Sequence, residues 1–290
     1  MFDNIFAAIE KWMRELLTGM VESNMSTMFT DVNEKTSEIA AQVGRTPQNW
    51  NSSVFSMIQN LSESVVVPIA GIIITLVLCY ELISMLTERN NLHDVDTWMF
   101  FKYFVKAWVA IYLVSNTFTI TMAVFDVGQS VVNSASGIIN GETAIDVSSL
   151  SMQMQAAMAT MEIGELVVLA LETFLVSFCM KIMSVVITVI VYGRMIEIYL
   201  YTSLAPIPFA TMSNREWGYV GTNYFRGLFA LAFQAFLMMV CVAIYAALIS
   251  SVRISSNMHS ALIGVAAYTV ILCFSLMKTG SLSKQIFGSH

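Results

Sequence analysis

The histidines and the carboxylates near them are the side chains of this sequence that could bind a metal or transfer protons. His93 lies in the stretch LHDVD (92–96), which offers one imidazole and two carboxylates within five positions. A polar loop in which Asp96 or Thr97 caps the next helix explains the same spacing without any chemistry. The chain carries neither a GxSxG or HExxH motif nor a Walker loop for nucleotides. We therefore predict no catalytic residue, no metal site, no cofactor and no enzymatic activity.

The composition indicates the environment in which these residues lie. Apolar residues make up 57% of the chain and charged residues 12%, whereas a soluble domain has about 45–50% and about 25%. Half of the usual charge cannot cover a water-facing surface, so the composition predicts a membrane protein. The net charge is −6, and no run of Lys and Arg indicates a nucleic-acid or polybasic lipid site. The four cysteines lie in apolar runs without CxxC spacing, which is typical of small buried side chains.

Long apolar runs predict an all-α fold, a polytopic bundle of transmembrane helices. A crossing of the hydrocarbon core needs about 20 apolar residues. Glu172 and Arg194 are 22 residues apart, about 33 Å of helix, so one crossing fits between them. We assign residues 63–290 to the bundle and residues 126–162 to an outer loop. Five crossings are predicted near residues 64–86, 103–125, 173–193, 227–250 and 259–278.

The prolines interrupt or begin apolar runs. Pro68 falls in the predicted first turn of a crossing, where proline is tolerated, but Pro206 and Pro208 break the apolar segment 195–212. Each removes a backbone donor and clashes with the preceding turn. The segment is either a kinked sixth crossing or a half helix that dips into the membrane and returns to the same side. Non-helical backbone is tolerated at membrane depth only against protein or a water-filled cavity, so both alternatives bury it inside an assembly. Kinks that only improve helix packing are the simpler explanation.

The distribution of basic residues favours five crossings and a dip. The loop 126–162 contains no Lys or Arg and is therefore predicted to lie outside. If 195–212 dips and returns, the N-terminus is outside and the C-terminus inside. Most basic residues of the later loops then lie inside, namely Arg215, Arg226, Lys278 and Lys284.

Residues 1–62 are predicted to form an extracytoplasmic segment that begins with an amphipathic helix. Its charged residues share one face, so the helix is expected to lie in the membrane interface or to pack on a partner. Weak helical periodicity continues to Val43, and Gly44 and Pro47 are expected to end the helix. The candidate membrane-interface residues are its apolar positions, Phe2, Ile5, Phe6, Ile9, Trp12, Met13, Leu16 and Leu17.

Charged residues inside predicted crossings indicate functional contacts, because a lone charge at mid-bilayer costs at least about 2.5–3.5 kcal/mol. Glu81 and Lys181 could each pair with another helix or subunit, or face a wetted lumen. Alternatively, Glu81 reaches the headgroups and Lys181 snorkels outward. We favour the headgroups for Glu81 and a pair or cavity for Lys181. The candidate subunit-contact or lumen residues are Lys181, Arg194, Glu197, Pro206, Pro208, Trp217 and Glu81.

Several stretches taken together resemble a known family. VIVYGRMIEIYL ends a crossing with Arg194, SLAPIPFA breaks the chain, and a polar turn with Arg215 and Trp217 precedes another apolar helix. The N-terminal FAAIEKWMRELLTGM, followed later by VVVPIAGIIITLVLCYELISM, completes the pattern. This order resembles the TrbL-like polytopic subunit of conjugative type IV secretion systems, in the version carried by mobile elements of Gram-positive bacteria.

The resemblance implies a subunit of a platform in the bacterial cytoplasmic membrane. Its implied partners are the other secretion membrane subunits, the transfer ATPases and further copies of itself in a ring, besides membrane lipid. It would take part in moving a single DNA strand with its relaxase, with transient contacts at Lys181, Arg194, Tyr199 or Tyr201. A secondary transporter or permease for a small solute is the alternative, because transporters also use broken helices and mid-membrane charges. Against it, the chain shows no internal repeat.

Overall fold

The computed structural model describes residues 2–87, 97–139, 147–252 and 258–289, and within these ranges the chain is helical without any β-strand. The LHDVD stretch lies outside the described residues. Five helical stretches are long and apolar enough to cross a membrane, which confirms the predicted all-α transmembrane bundle. They are Ser52–Thr87, Thr97–Ser115, Ile163–Ser203, Gly218–Ser250 and Met258–Phe287.

The α-helices are numbered along the chain, and a π-helical turn, Ser62–Val66, separates α3 from α4. They are α1 (Phe2–Val43), α2 (Pro47–Trp50), α3 (Ser52–Leu61), α4 (Val67–Thr87), α5 (Thr97–Ser115), α6 (Thr117–Ile139), α7 (Val147–Met158), α8 (Ile163–Ser203), α9 (Pro206–Thr211), α10 (Gly218–Ser250) and α11 (Met258–Phe287).

The helices contribute to two compact units. Unit 1 comprises Met1–Val43, Ser134–Val191 and Met238–Lys278, and unit 2 comprises Gly44–Asn133, Tyr192–Leu237 and Thr279–His290. This division differs from the predicted boundary at residue 62, because α1 belongs to a unit that also contains parts of the predicted bundle. The extracytoplasmic position of residues 1–62 stays a prediction.

In unit 1, α1 presents one buried face and packs against α7 and α8. The face is lined by apolar side chains at three- and four-residue spacing, as in a helix packed along one side. They include Val21, Met25, Met28, Val32, Ile39 and Val43. Towards α8, the Asn24 side-chain amide donates to the Thr173 hydroxyl and Lys35 Nζ donates to the Thr188 hydroxyl. The helix ends at Val43, as the following glycine and proline predict.

In unit 2, α3, the π-helical turn and α4 form one helix of 36 residues, Ser52–Thr87. Pro68 therefore lies inside a longer helix and not in a first turn, which corrects the prediction. A π-helical turn widens the helix locally, and here it immediately precedes the proline, whose ring would clash with the preceding turn of a regular helix.

The predicted crossing at 103–125 covers parts of two helices. α5 ends at Ser115 and α6 begins at Thr117, while backbone hydrogen bonds continue on both sides of the intervening Asn116. The Asn116 N–H donates to the Tyr112 carbonyl, and the Asn116 carbonyl accepts from Ile120. The predicted outer loop at 126–162 accordingly starts within α6 and includes α7.

The proline-containing region also differs from its prediction. α8 continues without a break through Arg194 to Ser203, so the predicted crossing at 173–193 is the middle of a longer helix. α9 contains six residues, about 9 Å of helix, which is far too short to cross the roughly 30 Å hydrocarbon core by itself. Pro206 and Pro208 both lie in the first turn of α9, where N–H groups have no partner within the helix in any case.

Candidate functional site

The proline segment is defined as residues 204–217, and its short helix α9 packs against α4 and α5 in unit 2. Phe209 of α9 is its largest fully buried side chain, with 2% of its surface exposed. Small side chains on both sides of the contact allow the short helix to approach its neighbours closely. The buried cluster consists of Ala70, Ile74, Leu78, Ala110, Val114, Ala205, Phe209, Ala210 and Tyr224.

The end of α8 and the start of α10 are joined next to this segment. The rings of Tyr201 and Tyr224 stack with their centroids 4.4 Å apart. Each hydroxyl donates to the backbone carbonyl of the other residue, at 3.2 Å from Tyr201 and 2.7 Å from Tyr224. A Cβ atom at Gly227 would lie 2.1 Å from the Tyr201 hydroxyl oxygen, and one at Gly221 would lie 2.5 Å from the Pro208 carbonyl oxygen. The packing of α10 therefore depends on glycine at both positions.

The proline segment is thus sheltered by its own chain. Pro206 is buried and Pro208 is half-buried. This arrangement meets the requirement that irregular backbone be kept away from lipid, but α4 and α5 provide the shelter and sister subunits are not needed for it. For Pro206 the structure shows internal packing, and a role of either proline at a lumen or subunit contact stays a prediction.

The turn between α9 and α10 places Trp217 on the surface. The Asn214 side-chain oxygen accepts hydrogen bonds from the backbone N–H groups of Glu216 and Trp217, which fixes the turn. The Trp217 ring stacks on Tyr80 of α4 at 5.7 Å, and the Tyr80 hydroxyl donates to Glu216 at 3.0 Å. With 46% of its surface exposed, Trp217 remains available to a headgroup layer or a partner subunit.

Glu81 is paired within the chain. Lys106 Nζ of α5 lies 2.5 Å from Glu81 Oε1 of α4, and only 19% of the Glu81 side chain is exposed. The structure therefore gives Glu81 the inter-helix pair in place of the favoured contact with headgroups. The sequence does indicate this pair. Glu81 and Lys106 have opposite charges, and each lies a few turns from the stretch that connects α4 to α5.

Arg194 and Glu197 lie on the same helix but have different surroundings. Arg194 is 7% exposed, and its guanidinium makes one long hydrogen bond, from Nη2 to the Leu231 carbonyl at 3.4 Å. Glu197 is half exposed and accepts from Lys284 Nζ of α11 at 3.0 Å. The pairing with Lys284 joins residues 87 positions apart, and no local pattern in the sequence indicated it.

Lys181 of unit 1 lies on the exposed side of α8. Among the described residues it forms no ion pair, so its predicted pairing stays a prediction. Exposed apolar side chains surround it along the helix, including Phe178, Ile182 and Val185. Elsewhere on α8, Glu172 contacts the imidazole of His259 on α11, a third inter-helix pair, which the sequence did not predict.

The predicted interfacial face of α1 is largely exposed. Trp12 has 61% of its surface exposed, and Met13 is half-buried. Leu17 differs from the prediction, because it is 8% exposed and packs into unit 1. The side chain of Phe2 lies outside the described residues. The exposed members of the predicted face are Ile5, Phe6, Ile9, Trp12 and Leu16.

The described residues contain no group of three or more His, Cys, Asp or Glu side chains placed to hold a metal ion. All four cysteines are free. Their predicted burial is wrong for Cys79 and Cys179, which are exposed on α4 and α8. Both helices are apolar candidate membrane spans, so a side chain exposed on them can face lipid as well as water.

A protein-family model described as TrbL/VirB6 plasmid conjugal transfer like protein matches residues 32–206, more than half of the chain. The matched range contains Glu81, Lys181, Arg194, Glu197 and Pro206 and ends inside the proline segment. No curated protein and no solved structure matches the chain.

Proposed function

The chain belongs to the TrbL/VirB6 plasmid conjugal transfer-like family, and on this premise we propose that it is a non-enzymatic platform or channel subunit of a conjugative type IV secretion machine. Membership of the family points to a subunit of the conjugal transfer machinery in a membrane. The proposed role is more specific: the protein helps a single DNA strand and its relaxase to cross the bacterial cytoplasmic membrane.

One observation carries this proposal. The family match at 32–206 includes three of the five candidate spans, Ser52–Thr87, Thr97–Ser115 and Ile163–Ser203. The similarity therefore extends through the membrane-spanning part of the chain and is not confined to a loop or terminal segment. The transfer ATPases of the same machine would supply the energy.

Lys181 supports an assembly of several copies around a shared surface. It lies nine residues from Glu172 and 13 from Arg194, about 13 Å and about 20 Å along α8. No other charge lies between those two residues, and a lysine side chain does not cover either distance. An exposed ammonium group at that depth needs an acceptor or water, which a neighbouring subunit or a hydrated lumen would provide.

Deletion of the gene from the host element provides the test. We expect conjugative transfer to be lost while growth and solute uptake stay unchanged, and a plasmid copy to restore transfer. Restoration should fail with Lys181→Leu but succeed with Lys181→Arg, which keeps the charge. Unchanged transfer in the deletion strain contradicts the proposal. Loss of uptake of a small solute would instead support the transporter alternative.

The proposed topology has the N-terminus outside and the C-terminus inside. Tyr219, which is exposed at the start of α10, reports on it. In a cysteine-free background, Tyr219→Cys should react with a thiol reagent only after the membrane is made permeable. Reaction of intact cells with an impermeant reagent would reverse the assignment.

A further inference from the structure

Basic side chains that are scattered along the sequence come together in unit 2. Lys284 lies in the last turn of α11, whereas Arg194 and Arg226 lie about two turns inside the end of α8 and the start of α10. Lys284 pairs with Glu197, and Arg226 reaches the end of α11, with its Nη1 3.8 Å from the Cβ position of Gly288. We call Arg194, Arg226, Lys284 and Glu197 the basic cluster. Three bases and one acid give it a formal charge of +2.

Arg194 is the buried base of the cluster, with 7% of its surface exposed. Its Nε is buried without a hydrogen-bond partner, and the bond from Nη2 to Leu231 is long. Within the described ranges, no carboxylate lies at salt-bridge distance from it. An arginine keeps its charge in a protein, and a buried charge without a counter-charge is strongly unfavourable. Glu197, one turn further along α8, is the counter-charge that Arg194 shares with Lys284, so one carboxylate serves three bases.

The surface around the cluster indicates the kind of anion. Side chains that flank Glu197 and Lys284 on their helices are exposed and aliphatic: Ile196, Leu200, Leu282 and Ile286. The rings of Phe229 and Phe233 on α10 pack against that of Phe287, which follows Ile286 on α11. Acyl chains suit an aliphatic surface, and a phosphate group suits arginine. A single DNA strand would instead require exposed aromatic rings on which its bases stack.

We propose that Arg194, Arg226 and Lys284 bind the phosphate group of an anionic phospholipid, whose acyl chains lie along the aliphatic side chains of α8 and α11. The phosphate balances the excess positive charge that Glu197 alone leaves, and Glu197 holds Lys284 in place. The site does not depend on the proposed role in DNA transfer. It requires only that these helix ends lie at a membrane surface.

Native mass spectrometry of the full-length protein in mild detergent tests the proposal. The probes are phosphatidylglycerol and phosphatidylcholine with the same acyl chains. We expect the wild type to retain phosphatidylglycerol in preference to phosphatidylcholine. Arg194→Gln and Arg226→Gln should each weaken phosphatidylglycerol binding about fivefold, since a base near an anionic lipid contributes about 1 kcal/mol. Arg215→Gln, which removes an exposed arginine of the same unit outside the cluster, should change it less than twofold.

Equal retention of the two lipids by the wild type would overturn the proposal. The same conclusion follows if Arg226→Gln and Lys284→Gln bind phosphatidylglycerol as the wild type does. Both alter exposed side chains, so they remain informative if Arg194→Gln fails to fold. A single-stranded oligonucleotide serves as competitor. If the wild type binds the oligonucleotide and these variants do not, and the wild type does not prefer either lipid, the cluster binds the phosphates of a DNA strand and the proposal is overturned.

Discussion

The proline segment and the first five turns of α1 are both apolar, but the chain buries the apolar side chains of the first and leaves many of those of the second exposed. Around the proline segment, α4 and α5 bury Ala205, Phe209 and Ala210 completely. On α1, Ile5, Phe6, Ile9, Trp12 and Leu16 remain exposed. The first region has irregular backbone and cannot be left to lipid, whereas a regular helix satisfies its own backbone groups and can. The proline segment is thus stabilised by contacts within the chain, whereas the exposed face of α1 needs a membrane or a partner to cover it.

Phe209→Ala should have the largest effect on this comparison. Removal of a buried aromatic ring costs about 3–5 kcal/mol through lost contacts and the cavity left behind. Equilibrium unfolding in detergent micelles measures the change. Phe104→Ala, which truncates an exposed phenylalanine of the same unit, should alter the free energy of unfolding by less than about 0.5 kcal/mol. Equal effects of the two variants would show that α4 and α5 do not shelter the proline segment.

Gly221→Ala should destabilise unit 2 by about 1–3 kcal/mol, since the new Cβ would overlap the Pro208 carbonyl and force the backbones apart. Gly71 of α4 is the matched control, because a Cβ there meets no atom within 4 Å. Gly71→Ala should be neutral or stabilise the helix by roughly 0.5–1 kcal/mol. If both substitutions are neutral in the same unfolding assay, α9 and α10 do not approach each other as closely as described.

Glu81→Gln should cost about 0.5–1 kcal/mol, because Lys106 is partly exposed and solvent screens the pair. The double variant Glu81→Gln with Lys106→Gln should be less destabilised than the sum of the two single variants predicts. The coupling free energy from this cycle is the quantity to measure. A coupling of zero would mean that the pair does not fasten α4 to α5.

Trp12→Ala should change the free energy of unfolding in detergent by less than about 0.5 kcal/mol, because its ring is exposed. In vesicles, lipids brominated near the headgroup should quench the fluorescence of the wild type more than that of Trp12→Phe. Leu17→Ala, on the buried face of the same helix, should cost about 2–5 kcal/mol. A large loss of stability in Trp12→Ala would place this face inside the fold.

Local patterns predicted much of the fold. Apolar run lengths indicate the five spans, and a glycine and a proline correctly mark the end of α1 at Val43. Boundaries were less predictable where adjacent helices differ little in composition, as around Asn116. Periodicity also does not reveal that α8 continues past Arg194, because its charged residues suggest a membrane surface there.

The sequence predicted which residues belong to the candidate site but not which of them contact each other. Pairs such as Glu197 with Lys284 depend on which helices become neighbours, and that is a property of the tertiary fold. The same holds for the shelter of Pro206, which follows from small side chains on α4 and α5. The close contact at Gly227 likewise becomes visible only when Tyr201 is opposite it.

The helix Ser52–Thr87, with its π-helical turn, is longer than any bilayer core requires. Its 36 residues span about 54 Å, and even at a tilt of about 40° they cover roughly 41 Å of depth, compared with about 30 Å of hydrocarbon. At least about two turns must therefore extend beyond the hydrocarbon core, into the headgroup region or the water. Because the helix is continuous from Ser52 to Thr87, its extending turns and its membrane-spanning part tilt together.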